Sequence, residues 1–258
     1  RFASDLQEAY GKGHISTLPS YNTIFDYFKM ESLTAYLRYL IGQSSLPLKG
    51  LECDFALDSS GFSTCRFVRW SDVKYGNTED WRDWIKVHLM CGVKTNIVTS
   101  VEVSGRYSND SPFLKPLLES TAQSGFQIRE VSADKGYDSF NNRCLVLLKG
   151  GDPYIPFREG EKGANFSFKG ELWKRMYHYY KFHEEEFNAH YHKRSNAEST
   201  FSMIKAKFGE RLRSKTAIAQ INEALCKVLC HNICCVIQST YELGVEPVFW
   251  EDSYVKNQ

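Results

Sequence analysis

The stretch Tyr191-His-Lys-Arg-Ser-Asn-Ala-Glu-Ser-Thr-Phe-Ser-Met-Ile-Lys205 spaces Tyr191, Arg194, Glu198 and Lys205 at intervals of three, four and seven residues. That spacing predicts a helix. With Tyr191 at 0° and about 100° per residue, Arg194, Glu198 and Lys205 fall near about 300°, 340° and 320°, a single narrow stripe. Ala197, Phe201, Ile204 and Phe208 fall between about 220° and 280°, an apolar strip suited to pressing the helix onto a core. An acid between two cations is therefore presented on one face of an anchored helix.

Taken alone, Arg194 and Glu198 read as an ordinary i,i+4 pair on a solvated helix. Two further acids change that reading. Asp58 lies in Leu51-Glu-Cys-Asp-Phe-Ala-Leu-Asp-Ser-Ser-Gly-Phe62, a short apolar strand expected over 52–58 and running into a Ser-Ser-Gly turn. Asp134 lies in Ile128-Arg-Glu-Val-Ser-Ala-Asp-Lys-Gly-Tyr-Asp138, where a strand over 128–133 meets a Gly turn and then a helix. Each Asp by itself reads as a turn residue or helix cap. Both at strand carboxyl ends, where α/β sheets gather their ligands, together with a helical Glu, read as a site.

Three converging carboxylates repel unless a cation joins them. Hard divalent ions take oxygen ligands and keep waters for a substrate phosphate, so Asp58, Asp134 and Glu198 are candidate metal ligands for displacement at phosphorus.

Asp58 in Leu-Asp-Ser-Ser-Gly-Phe, Asp134 in Ala-Asp-Lys-Gly-Tyr-Asp and the Tyr191, Arg194, Glu198, Lys205 stripe together resemble the catalytic domain of bacterial and archaeal insertion-sequence DDE transposases, over about residues 20 to 245. The resemblance implies an α/β, ribonuclease H-like mixed sheet flanked by helices. It implies Asp58, Asp134 and Glu198 as catalytic residues holding two Mg²⁺ ions per active site, with Mn²⁺ able to substitute. Its activity would be cleavage of DNA at transposon ends and joining of the 3′ ends to target DNA, with a homodimer or higher oligomer in the active complex. Tyr191, Arg194 and Lys205 would contact phosphates near the end, and the basic tract adds Lys207, Arg211 and Arg213. Tyr137 reads as a core aromatic in preference to a base-stacking group. Asp138 is a reserve acid that reads first as the cap of the next helix.

Composition sets the outer bounds. At 258 residues, 42% hydrophobic and 24% charged, the chain has the makings of a full core, and disordered and fibrous classes are excluded. It has neither an apolar run of membrane-spanning length nor a signal-peptide pattern, which points to the cytoplasm with no membrane partner, and the resemblance implies a nucleoid-associated protein. The eight cysteines form no Cys-x2-Cys pair and fit a reducing compartment. Cys226, Cys230 and Cys234 read as small core hydrophobes, and the seven histidines match no zinc spacing. Net charge is only +1, but residues 191–215 hold seven cations (Lys193, Arg194, Lys205, Lys207, Arg211, Arg213, Lys215) against Glu198 and Glu210, a local balance of +5. Beside the acids, that tract reads as a DNA surface.

The organisation expected is an amino-terminal helical segment over 1–46, DNA-binding or bracing, and a catalytic domain over 51–245. Helices are expected over 20–43 with Ser32 as a cap, and a linker over 44–50. Strands 52–58, 84–92 and 96–104, a helix near 112–124 and strand 128–133 then follow in β-β-β-α-β order. An insertion of approximately 139–187 holds a helix near 139–149, a strand at 153–157, a charged loop and an aromatic helix over 169–185. Arg158, Lys162 and Lys169 are candidates there for DNA backbone contacts, while Trp173, Tyr177 and Tyr180 read as core. The chain opens on Arg1 rather than Met, which leaves room for a preceding segment with DNA-binding elements. Three other classes stay open: a domesticated or truncated DNA-binding derivative, a metal-dependent nuclease of the same fold without strand transfer, and a glycoside hydrolase using paired carboxylates.

Overall fold

The computed structural model describes residues 2–64, 74, 84–158 and 166–249. Three helices lead into the sheet: α1 (Phe2–Gly11), α2 (Tyr21–Phe28) and α3 (Glu31–Ser45). Ser20 caps α2, its hydroxyl accepting from the Thr23 amide. Ser32 is not the cap of α3. That helix begins one residue earlier, at Glu31, behind Met30, which makes no side-chain capping bond. Residues 44–50 are packed structure: Ser44 and Ser45 finish α3, a 3₁₀ turn covers Leu46–Leu48, and Ser45 and Leu48 are fully buried.

β1 (Asp54–Thr64) is the central strand, with its first four residues buried. It pairs antiparallel with β2 (Trp84–Gly92), which pairs antiparallel with β3 (Val98–Gly105). After α4 (Leu114–Gln123) the chain returns as β4 (Glu130–Ala133), parallel to β1. α5 (Phe140–Leu148) then leads to β5 (Asp152–Tyr154), parallel to β4. The sheet order is β3-β2-β1-β4-β5, and β6 (Arg211–Leu212) adds to the far end of β1 at Ser63 and Thr64. This six-stranded mixed sheet, built in β-β-β-α-β order, is the ribonuclease H-like arrangement expected.

Two boundaries differ in an informative way. β1 does not end at Asp58. Ser59, Ser60 and Gly61 continue the strand, paired with His88, Val87 and Lys86. The antiparallel partner supplies ladder bonds that override the turn preference of Ser-Ser-Gly. A Cβ at Gly61 would stand 3.0 Å from Trp84 Cδ1, so the glycine admits that ring across the strand pair. The expected strand at 153–157 is shorter and shifted, ending at Tyr154.

The rest of the chain comprises α6 (Phe166–Phe182), α7 (Glu184–Tyr191), α8 (Ser195–Phe208) and α9 (Ala217–Leu243). α6 is broken at Gly170, whose φ of 70° lies in the left-handed region that glycine occupies without a Cβ clash. Lys162 and Cys65 lie outside the described residues. α3, α8 and α9 cover one face of the sheet, where Ala56, Phe62 and Leu89 pack with Ile41, Phe201 and Leu225. Phe55, Leu57 and Met90 face the opposite core with Leu114, Leu117 and Val146. Alternation along β1 therefore turns its even-numbered residues, Asp58 among them, toward α8.

Asn232 of α9 ties these layers together. Its amide donates to Ile41 O, Ser44 Oγ and Val98 O, and its carbonyl accepts from Val98 N–H. The cysteine expectation holds only in part: Cys226 is half-buried against the core and Cys234 is half-buried, whereas Cys230 is exposed. Ile233 and Ile237 of the same helix are about half exposed. Trp173, Tyr177 and Tyr180 do gather in a core, around Phe157 at centroid distances of 4.9, 5.2 and 5.3 Å. Among the described residues no helix is long and apolar enough to cross a membrane.

Candidate active site

β4 is the shorter of the two parallel strands, and its last pair with β1 is Ala133 against Leu57. Asp58 and Asp134 are each the next residue, so they stand side by side where β4 leaves the sheet. Asp58 is thus at the end of the parallel pairing although it lies within its own strand. Its Oδ1 accepts from Ser59 N–H at 2.8 Å. Asp134 is extended, and its carboxylate accepts from Lys135 N–H at 2.7 Å, starting the 3₁₀ turn Lys135–Tyr137.

Glu198 comes from α8. The helical stretch read from Tyr191 to Lys205 is not one helix: a 3₁₀ turn at His192–Arg194 separates α7 from α8. The predicted apolar strip survives, with Ala197, Phe201 and Ile204 buried and Phe208 packed beside them. That strip seats α8 on the sheet and leaves Glu198 exposed above β1.

Arg194 joins the two elements. Its guanidinium donates to Asp58 Oδ2 at 3.0 Å and to Glu198 Oε1 at 2.7 Å. Its Cζ lies 5.9 Å from the centre of the Tyr191 ring. Lys205 donates to Ser60 Oγ at 2.9 Å and lies 5.4 Å from the Phe62 ring, two residues farther along the same face of β1. Lys207, Arg211 and Arg213 follow as an exposed basic run. Burial pushes the Asp58 carboxyl up. Ser59 N–H and Arg194 pull it down, while Asp134 and Glu198 add to the rise, and the net shift is upward. A carboxylate crowded by two others is a carboxylate in want of a cation.

Among the described residues no group of three His, Cys, Asp or Glu side chains is gathered closely enough to hold an ion as it stands. The positive charge between Asp58 and Glu198 is that of Arg194. The donors are all oxygen, and a cationic side chain already bridges two of them, so the residues fit hard divalent cations.

Tyr137 is buried, and its hydroxyl lies 3.3 Å from His88 Nδ1, which makes it a core aromatic. Asp138 is not the cap of α5: Ser139 caps that helix, and Asp138 is buried against Arg143 at 2.9 Å. Arg158 is exposed and lies over the loop after Asp134, donating to Lys135 O and Gly136 O at 3.3 and 3.0 Å.

Two polar clusters escaped the sequence reading. On the face of β1 away from α8, Asp110 accepts from Ser59 Oγ at 2.9 Å and pairs with Lys86 at 2.6 Å. His88 lies beside it, fully buried, stacked on Phe113 at 3.9 Å and within 2.8 Å of Ser104 Oγ. Burial holds the imidazole down to about 4, against an ordinary value of 6.5. The unfolded chain therefore binds a proton that the folded chain refuses. Stability from this site is complete above pH 6.5 and is lost as pH falls toward 4, by about 3 kcal/mol. Urea unfolding of wild type and His88→Gln across that range should show the variant with the flatter profile, and equal slopes would remove His88 as the cause. The second cluster surrounds Lys193, which donates to Asp54 and Glu130.

A family model described as the transposase DDE domain matches residues 49–233, a span that includes Asp58, Asp134 and Glu198. No curated protein and no solved structure matches the chain.

Proposed function

The chain belongs to the transposase DDE domain family, and from that premise we propose that it cuts DNA at transposon ends and joins the freed 3′ ends to target DNA, using Asp58, Asp134 and Glu198 to hold two divalent cations, Mg²⁺ or Mn²⁺. The observation that carries the reading is the meeting of Asp58 and Asp134 at the end of β4, with Glu198 linked to Asp58 through the Arg194 guanidinium. When bound, such ions polarise the phosphorus–oxygen bond and make water or a 3′-hydroxyl a nucleophile at neutral pH.

The chain's own residues do the rest. Asp58 and Asp134 are fixed by backbone amides, so their oxygens are set before substrate arrives. Arg194 keeps the Asp58 and Glu198 carboxylates from repelling one another and offers a planar donor fork suited to a phosphate oxygen. Lys205, with Lys207, Arg211 and Arg213 beyond it, extends the positive surface along the DNA backbone, and Tyr191 backs Arg194. A homodimer or higher oligomer on paired ends is the active complex in this reading.

The test is cleavage and joining of DNA carrying the element's own ends, with Mg²⁺ or Mn²⁺, by wild type and by Glu198→Gln. Metal-dependent cutting and joining are expected of the wild type, and neither of the variant. Cutting without joining would make the protein a nuclease of this fold, and end binding without cutting a DNA-binding derivative.

A further inference from the structure

Lys193 is one of the seven cations of the basic tract, yet its ammonium is turned into the protein. It donates to Asp54 Oδ2 at 2.9 Å and to Glu130 Oε2 at 2.6 Å, both carboxylates nearly buried. Arg129 binds Asp54 through two bonds of 2.7 Å, and His190 Nδ1 lies 2.9 Å from Glu130 Oε2. Asp54 and Glu130 are paired residues at the start of β1 and β4. Burial pushes the Asp54 carboxyl up, and the bonds from Arg129 and Lys193 outweigh it, bringing it down to about 2. Asp54 is thereby held as the carboxylate that Arg129 and Lys193 bind.

Lys193 and Arg194 are neighbours in the same 3₁₀ turn, and they reach acids four residues apart on the same face of β1, Asp54 and Asp58. Four strand residues span about 13 Å. Two attachments at that separation fix the direction of α8, whose first turn carries Glu198, where a single attachment would leave it free to pivot. Arg194 is bonded to a catalytic acid and is itself a phosphate-binding candidate. Whenever Arg194 turns to DNA, Lys193 is the attachment that stays. Taking Lys193 away to a phosphate would strip a bond from each of two nearly buried carboxylates, a costly exchange.

We infer that Lys193 is a positioning residue: clamped by Asp54 and Glu130, it sets the distance of Glu198 from Asp58 and Asp134, and it is not part of the DNA surface. The inference rests on the metal-dependent reading of the site given above. It is tested with Lys193→Met and Lys193→Arg, using Lys205→Ala as the comparison for a phosphate contact. Mn²⁺ affinity of the protein alone is read by electron paramagnetic resonance, and end binding is read against salt concentration. Lys193→Met should bind Mn²⁺ at least about tenfold more weakly, the usual effect of losing a residue that orients a ligand. Its salt slope should match that of wild type, and Lys193→Arg should restore the affinity. Lys205→Ala should instead shallow the salt slope by about one unit.

A shallower slope for Lys193→Met with unchanged Mn²⁺ affinity would overturn the clamp and make Lys193 a DNA contact. Unchanged slope and unchanged affinity would overturn it too. Should Lys193→Met fail to fold, Lys193→Met/Glu130→Gln removes the uncompensated charge and is read the same way. If the wild type itself binds no Mn²⁺, the metal-dependent reading fails, and amide exchange then decides the clamp. Faster exchange in Lys193→Met confined to residues 192–208 upholds it, and unchanged exchange overturns it.

Discussion

Replacing Asp134 by Asn should reduce end cleavage to background while leaving folding and end binding in place. The reason is local. Asp134 has two duties, to accept a hydrogen bond from Lys135 N–H and to place a negative charge beside Asp58. Asparagine retains an acceptor oxygen for the first and lacks the charge for the second. The turn at Lys135–Tyr137 therefore keeps its start, and only the affinity for a hard cation falls. Cleavage of labelled ends, thermal unfolding and end binding, measured on the same preparation, separate the two duties. Binding lost together with cutting would mean that the carboxylate supports the fold and would count against its place in the triad.

The largest effect on stability is expected at Arg143. This side chain is 1% exposed and pairs with an Asp138 carboxylate that is equally buried. It also donates to Ile155 O and lies over the Phe157 ring at 3.8 Å. Arg143→Met keeps much of the volume and strands the Asp138 charge, with the Arg158 amide at 3.1 Å as the remaining donor shown to it. Breaking a buried pair from one side costs about 3–5 kcal/mol, whereas replacing both partners is far milder. Urea midpoints should accordingly drop sharply for Arg143→Met and recover substantially in Arg143→Met/Asp138→Asn. A single-variant loss below about 1 kcal/mol would show that the carboxyl is not held by this pair. Because Asp138 closes the turn that begins at Asp134, the weakened pair should also loosen the site, visible as faster amide exchange at Lys135–Tyr137.

Glutamate 52 shows the same economy on the other side of the sheet. Its carboxylate accepts from the amides of Lys94 and Thr95 and so fastens the β2–β3 turn, at 3.2 and 2.6 Å. A Cβ at Gly92 would meet that carboxyl at 2.3 Å, so the turn and the acid require glycine there.

The sequence by itself determined the periodic elements and the acids. The apolar strip Ala197, Phe201, Ile204 predicted which face of α8 is buried, because a 3.6-residue period is a property of neighbouring residues alone. The strands beginning near 84 and 128, the helix before β4 and the aromatic core around Phe157 were legible on the same ground. Asp58, Asp134 and Glu198 were legible as a family pattern. Only the tertiary structure decided where β1 ends, since Ser59–Gly61 are held extended by β2 residues far along the chain. It alone turned Lys193 onto Asp54 and Glu130, which lie 139 and 63 residues away. It alone moved Asp138 from helix cap to buried ion pair and showed Arg194 between two acids. Charges carry no periodicity that names their partner, and a cation is assigned to solvent, to DNA or to a buried carboxylate only when the chain brings those partners within about 3 Å.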